Sequence, residues 1–265
     1  EQAAKQTPEQ IAEQAAKVAE YEKQKKSLEE KQSSVQASFT AGMEAYSAKK
    51  WDAAIESLTK ASQIDPKQDV VWANLGDSYA QRGGTLKGAE RVADNQKSVE
   101  AWAKAIELKP LNAGYHNNMA LALAGSKKLD GAKEEFEQAA KLDPPQAGLY
   151  YRNLGSSYFD ANQNEAAEAA YKKAIEAEPS NPDNYYRLGL SLIGRVTGAG
   201  PDGKLLAPAG TAEAFQKYLE LAPTGANAEE SKGMLEALGA KVVTGFKGNA
   251  PPPAAGKGKA APKGK

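Results

Sequence analysis

Leu149-Tyr150-Tyr151-Arg152-Asn153-Leu154-Gly155-Ser156-Ser157-Tyr158 opens a stretch that continues through Ala167, Tyr171 and Ala174 to Pro179. Gly155 and Ala167 are small and stand where two helices must touch closely. Tyr158, Tyr171 and Ile175 bring aromatic and apolar surface to one face at helical spacing. Pro179 closes the second helix, because a proline there has no N–H to give and clashes with the preceding turn. Asn162-Gln163-Asn164 lies between the two helices, and asparagine tolerates the unusual dihedrals of a tight turn. The stretch predicts a helix–turn–helix unit, and one such unit cannot bury its own apolar face.

The same order recurs along the chain. Residues 35–68 carry Gly42, Ala54, Leu58, Ala61 and Pro66 at the matching places. In 69–112, Trp72, Leu75, Gly76 and Tyr79 lead to Trp102, Ala105 and Pro110. In 113–147 the places are held by Met119, Ala120, Ala132, Phe136, Ala139 and Pro144. Residues 148–181 are the unit quoted above, and 182–223 carry Tyr185, Leu188, Gly189, Phe215, Tyr218 and Pro223. This order of small, aromatic, small and proline over about 34 residues resembles the tetratricopeptide repeat family. The resemblance covers roughly residues 35–240. It implies an all-α, right-handed α-solenoid of about five helix pairs, in which stacked neighbours share one core. The two insertions described next, and the ending Leu-Ala-Pro-Thr-Gly, resemble bacterial exported members. That likeness implies a periplasmic or extracellular protein, with the cytoplasm as the alternative. The start at Glu1 rather than methionine fits a removed signal segment or a fragment.

Two units are too long. The Trp72-to-Pro110 spacing is ten residues longer than Tyr151-to-Pro179, with the surplus between Gly83 and Asn95. Gly83-Gly84 predicts a turn there, followed by a lengthened helix carrying Ala89, Val92, Val99, Trp102 and Ile106. The insertion reads as decoration of one rim or as a partner contact. In the fifth unit residues 196–210 cannot be helical. Asp202-Gly203 predicts a tight turn, Lys204 to Ala207 a short strand closed by Pro208, and Lys241 to Thr244 a strand able to pair with it. Thr211 is expected to cap the helix that follows.

The repeats are flanked on both sides. Thr7-Pro8-Glu9-Gln10 predicts a helix start with a capping box. Residues 1–34 then form a polar amphipathic helix, laid against the first repeat or projecting from it. Its stripe of Ile11, Val18, Tyr21 and Leu28 permits a short coiled coil, so self-association through this helix is the alternative to a groove-binding function. A capping helix with Met234, Leu235 and Leu238 inward, and a short extended piece, occupies 224–246, with Gly239 as the helix stop. From 247 to 265 the chain is lysine, proline, alanine and glycine, a composition expected to stay disordered. Its lysines suit a solubilising role or weak attachment to an anionic surface.

Composition narrows the chemistry. The net charge is zero, so no global field argues for nucleic acid. No apolar run approaches the length of a membrane-spanning helix. There are no cysteines and one histidine, His116, which removes thiolate and common zinc sites. His116 stands at a first-helix packing position. Glu134-Glu135 and Glu229-Glu230 read as solvated pairs. No catalytic constellation, metal site or cofactor is predicted, and a binding surface remains.

In tetratricopeptide proteins the first helix of each unit lines a concave groove. The resemblance implies that a partner protein or peptide lies along it. The residues so placed are Asn74, Asp77, Asn117, Asn118, Arg152, Asn153, Ser156, Tyr186 and Arg187. Asparagine amides both donate to and accept from a peptide backbone, and Arg152 with Arg187 could grip a carboxylate. The row looks partly like the carboxylate clamp of chaperone-binding members. It departs from that clamp in the first unit, where Phe39 and Met43 stand in place of lysine and asparagine. Those two residues and Tyr46 either pack under the N-terminal helix or accept an apolar side chain.

Overall fold

The computed structural model describes residues 7–242, which form eleven α-helices and one 3-10 turn. The chain divides into two units, one ending at Pro179 and one starting at Ser180.

The first unit is a solenoid of four helix pairs: α1 (Pro8–Ser47) with α2 (Trp51–Ile64), α3 (Asp69–Thr85) with α4 (Gly88–Leu108), α5 (Ala113–Gly125) with α6 (Leu129–Leu142), and α7 (Ala147–Asp160) with α8 (Asn164–Ala177). Within this unit α2, α4 and α6 also pack on the first helix of the next pair, and the first helices touch one another in sequence. Ile55, Leu58, Leu75 and Ala101 form one buried cluster, with Phe39, Trp72 and Tyr79 against it.

The pairs are held close by one repeated contact. A Cβ added at Gly42 would lie 2.7 Å from Leu58, at Gly76 2.9 Å from Trp102, and at Gly155 2.5 Å from Tyr171. In the third pair Ala120 and Phe136, both fully buried, hold the same two places. The first helix therefore carries only hydrogen or one methyl where the second helix delivers a large side chain. Close-packed interiors leave no slack at such a point.

The turns inside the first, third and fourth pairs each place one residue in the left-handed region: Lys49 (φ 57°), Lys127 (φ 63°) and Asn162 (φ 59°). The asparagine fits its position as the sequence suggests. The lysines adopt that conformation because the turn geometry requires it, against their own preference.

The N-terminal helix is not a separate element. Thr7 and Gln10 form the capping box, with Gln10 N to Thr7 Oγ1 at 3.3 Å and Thr7 N to Gln10 Oε1 at 2.9 Å. From there α1 runs unbroken for 40 residues into the first repeat. Nothing in the sequence between Ser33 and Val35 stops a helix, so none stops. Residues 7–34 are exposed throughout, so this half projects rather than lying on the first repeat.

The Gly83-Gly84 turn is a second correction. Both glycines are helical, in the last turn of α3, and the chain reverses at Leu86-Lys87. Gly83 faces Asp94, with 3.3 Å from a would-be Cβ to the aspartate Cβ, so here glycine permits close approach rather than a bend. The surplus residues lengthen α4 to 21 residues.

The second unit holds a fifth pair, α9 (Pro182–Ile193) and α10 (Thr211–Leu221), capped by α11 (Ala228–Ala237). A Cβ at Gly189 would lie 2.8 Å from Phe215, which repeats the contact of the first unit. Phe215, Tyr218, Leu219, Ala228 and Leu235 make its core. Between α9 and α10 the chain is non-helical and turns at Asp202-Gly203, with Gly203 at φ 77°. The expected strand shrinks to a single antiparallel bridge, Ala199 with Leu205. Leu205 N bonds instead to Ala237 O of α11 at 2.9 Å, which leaves Lys241-Val242 unpaired as strand. Gly210 (φ 90°), not Thr211, is the cap residue of α10, and Thr211 is its first helical residue, donating to Pro208 O at 2.6 Å. Val243-Thr244 and the lysine tail fall outside the described residues.

Tyrosines repeatedly bond to carboxylates: Tyr46 to Asp77, Tyr115 to Asp69 at 2.7 Å, and Tyr186 to Glu230 at 2.7 Å. Burial and the adjacent carboxylate push Tyr46 and Tyr115 each up to about 12, and push Tyr186 up as well. A phenol whose pKa is raised on folding contributes stability fully below its unfolded pKa near 10 and loses it as pH rises through its folded pKa. Thermal unfolding followed by circular dichroism should thus show Tm falling between pH 10 and about 12. Tyr115→Phe should flatten that fall while lowering stability at pH 8 by about 1 kcal/mol, the net worth of one hydrogen bond. Parallel curves for variant and wild type would refute the assignment.

Candidate functional site

The candidate residues of the first unit sit on its row of neighbouring first helices. Their helices form because each opens after a proline or asparagine signal and carries one packed face. Asn112, for example, caps α5 by accepting from Tyr115 N at 3.3 Å. That leaves the residues off the packed face half-buried along the row.

Three asparagines form a ladder across two helices. Asn153 Nδ2 on α7 donates to Asn117 Oδ1 on α5 at 3.0 Å, and Asn117 Nδ2 donates to Asn118 Oδ1 at 2.9 Å. Among the described residues the Asn118 amide nitrogen and the Asn153 amide oxygen make no hydrogen bond. One end of the ladder thus offers donors and the other an acceptor, the pair that an extended backbone can meet. Asn74 is spent locally, donating to Val70 O at 2.7 Å. Asp77 accepts from Tyr46 and, at 3.5 Å, from Gln81. Ser156 donates to Arg152 O at 3.0 Å and accepts from Tyr171 at 3.3 Å.

Arg152 faces Glu178, with Nη1 to Oε2 at 3.4 Å. The sequence reading missed Glu178 because it lies in a different helix pairing position, 26 residues on. Tyr186 and Arg187 lie on α9 in the second unit, where Tyr186 donates to Glu230 and stacks edgewise on Phe215. Arg187 is exposed there.

Phe39 packs inward on the Ile55–Leu58–Leu75–Ala101 cluster. Met43 lines an open depression of about 540 Å³ with Gln36, Thr40 and Glu44. No N-terminal helix covers these residues, because the leading helix and the helix that carries them are one. The packing expected under that helix is therefore absent.

Two carboxylates taken as solvated are engaged. Glu135 Oε2 meets His116 Nδ1 at 2.6 Å, while His116 Nε2 meets Pro110 O at 2.8 Å. Glu230 holds Tyr186. His116 is buried and packs as the sequence suggests. No helix among the described residues is long and apolar enough to cross a membrane.

Comparison with known proteins agrees with the repeat architecture. Two family profiles match, described as TPR repeat over residues 155–193 and as tetratricopeptide repeat over residues 113–146. Small glutamine-rich tetratricopeptide repeat-containing protein 2 of Mycosarcoma maydis is 38% identical over 35% of this chain and 26% of its own length. The heat-shock protein cognate (HSC) co-chaperone sgt12 of Aspergillus fumigatus is 31% identical over 37% of this chain and 29% of its own length. The chain therefore spans between a quarter and a third of these curated relatives. Among solved structures, a MamA protein superimposes with a TM-score of 0.55 at 19% identity, covering 74% of this chain and 94% of that one. At that identity the likeness concerns the fold.

Proposed function

This chain carries tetratricopeptide repeats, and on that premise we propose that it is a non-enzymatic scaffold that binds a segment of a partner protein along the first helices of its repeats. The observation that carries this reading is the asparagine ladder, whose free amide donors on Asn118 and free acceptor on Asn153 suit the backbone of an extended peptide. Asn74, Asp77, Arg152 and Ser156 flank the ladder on the same row. Tyr186 and Arg187 belong to the second unit, on α9. The relative named as a co-chaperone supports this reading of a protein-binding role and favours the cytoplasmic alternative over export.

The test begins with a random displayed peptide library selected on the full chain, followed by fluorescence anisotropy with the best peptide. Asn118→Ala combined with Asn153→Ala removes two peptide hydrogen bonds of about 1 kcal/mol each, so affinity should fall roughly thirtyfold with unchanged helicity. Equal affinity for both proteins would move the site off the ladder.

A further inference from the structure

The projecting half of α1 leaves an apolar stripe without a partner: Ile11, Val18, Tyr21 and Leu28 are 55%, 51%, 67% and 62% exposed. At 1.5 Å per residue the exposed part is about 40 Å long. It is held in line by the rest of the same helix, which is packed into the first repeat. The stripe advances by seven, three and seven residues. That spacing is the a and d seam of a coiled coil, not the broader face of a helix docked on a globular core. With Ile11 and Val18 at a, and Tyr21 and Leu28 at d, the flanking positions sort by charge. The e positions hold Glu22 and Glu29, and the g positions hold Lys17 and Lys31 with Gln24 between them.

We propose that this segment pairs with a second copy of the chain as a parallel, two-stranded coiled coil. In a parallel pair each g residue meets the e residue five positions on in the other helix. Lys17 then faces Glu22 of the second copy, and the twofold axis repeats the contact. Gln24 likewise faces Glu29. An antiparallel pair would set g against g and e against e, with no opposite-charge contact. In the single helix, among the described residues, Lys17 pairs with the exposed Glu13 at 2.6 Å, and that partner is readily exchanged. Lys25 at an a position and Gln14 at a d position reduce the strength of the pair and penalise shifted registers.

Sedimentation equilibrium of the full chain, from low micromolar to submillimolar, should show the mass rising from 28.0 kDa toward twice that value. Lys17→Glu reverses the g position, and Glu22→Lys with Glu29→Lys reverses the e positions. Each reversed protein alone should associate at least tenfold more weakly, and the two mixed should associate again. The chain has no cysteine, so orientation can be read directly. Gln14→Cys should form an interchain disulfide under mild oxidation, and Glu13→Cys, on the outer face, should not. A wild-type chain monomeric at submillimolar concentration would overturn the proposal. So would a dimer indifferent to the charge reversals, or one that Gln14→Cys fails to link.

Discussion

Replacing Gly155 with alanine should destabilise the α7–α8 pair by about 2–3 kcal/mol, although alanine is the better helix former. The added methyl carbon would sit 2.5 Å from the Tyr171 ring, well inside contact distance. The ring cannot retreat: Tyr171 is 1% exposed and its hydroxyl already meets Ser156 at 3.3 Å. Either the helices separate or the ring leaves its rotamer, and both forfeit dispersion contacts in a close-packed site. Gly84 is the control. It is also helical, but nothing lies within 4 Å of its would-be Cβ. Gly84→Ala should therefore gain roughly 0.5–1 kcal/mol from reduced unfolded-state freedom. Urea unfolding of both variants, with hydrogen exchange to localise the loss to α7 and α8, decides the matter. A neutral Gly155→Ala would mean that the pair packs more loosely than the structure shows.

Removing the Arg82 side chain should cost about 3–5 kcal/mol, the range found when one partner of a buried ion pair is deleted. Arg82 Nε and Nη2 bond the two oxygens of Asp94 at 2.7 and 2.8 Å, and Asp94 is only 4% exposed. Arg82→Met would leave that carboxylate buried beside Gly83 with its partner gone. Arg82→Met combined with Asp94→Leu should recover most of the loss, because the penalty is the unpaired charge rather than the absent attraction. The arginine also reaches Asp52 on α2, but that side chain is 88% exposed. Asp52→Ala should change stability by less than about 1 kcal/mol. If Arg82→Met and the double variant unfold alike, Asp94 is not the reason for the loss.

The same ion pair explains what the first insertion does. Asp94 and Asn95, at the end of the added residues, are both buried. Asp94 is tied to α3, and Asn95 sits 2.7 Å from a would-be Cβ on Gly125 of α5. The exposed turn before them, with Glu90 and Ala93, lines an open cleft of about 760 Å³ with Lys50 and Trp51. Part of the insertion is core and part is rim. In the second unit the added residues also fall between the glycine and its aromatic partner, Gly189 and Phe215, so both insertions leave that contact intact.

The sequence by itself determined the helix pairs and the contact that holds each one. A small residue at one place and a bulky one in the following helix recur in all five units. That pattern has few other solutions, because only a hydrogen or a methyl fits beneath the incoming side chain. It also determined the capping box at Thr7 and Gln10, which needs only residues three apart. The tertiary structure alone decided matters that depend on residues distant in sequence. Local composition reads Gly83-Gly84 as a turn, but α3 continues through both glycines, and Gly83 lets Asp94 of α4 approach closely. The predicted strand at Lys204 to Ala207 collapses to one bridge because Leu205 N finds the last carbonyl of α11. Arg152 reads as a free cation until the fold brings Glu178 to it, and Glu135 reads as solvated until His116 does the same. In each case the residue type is legible in the sequence, and the identity of its partner is set by packing.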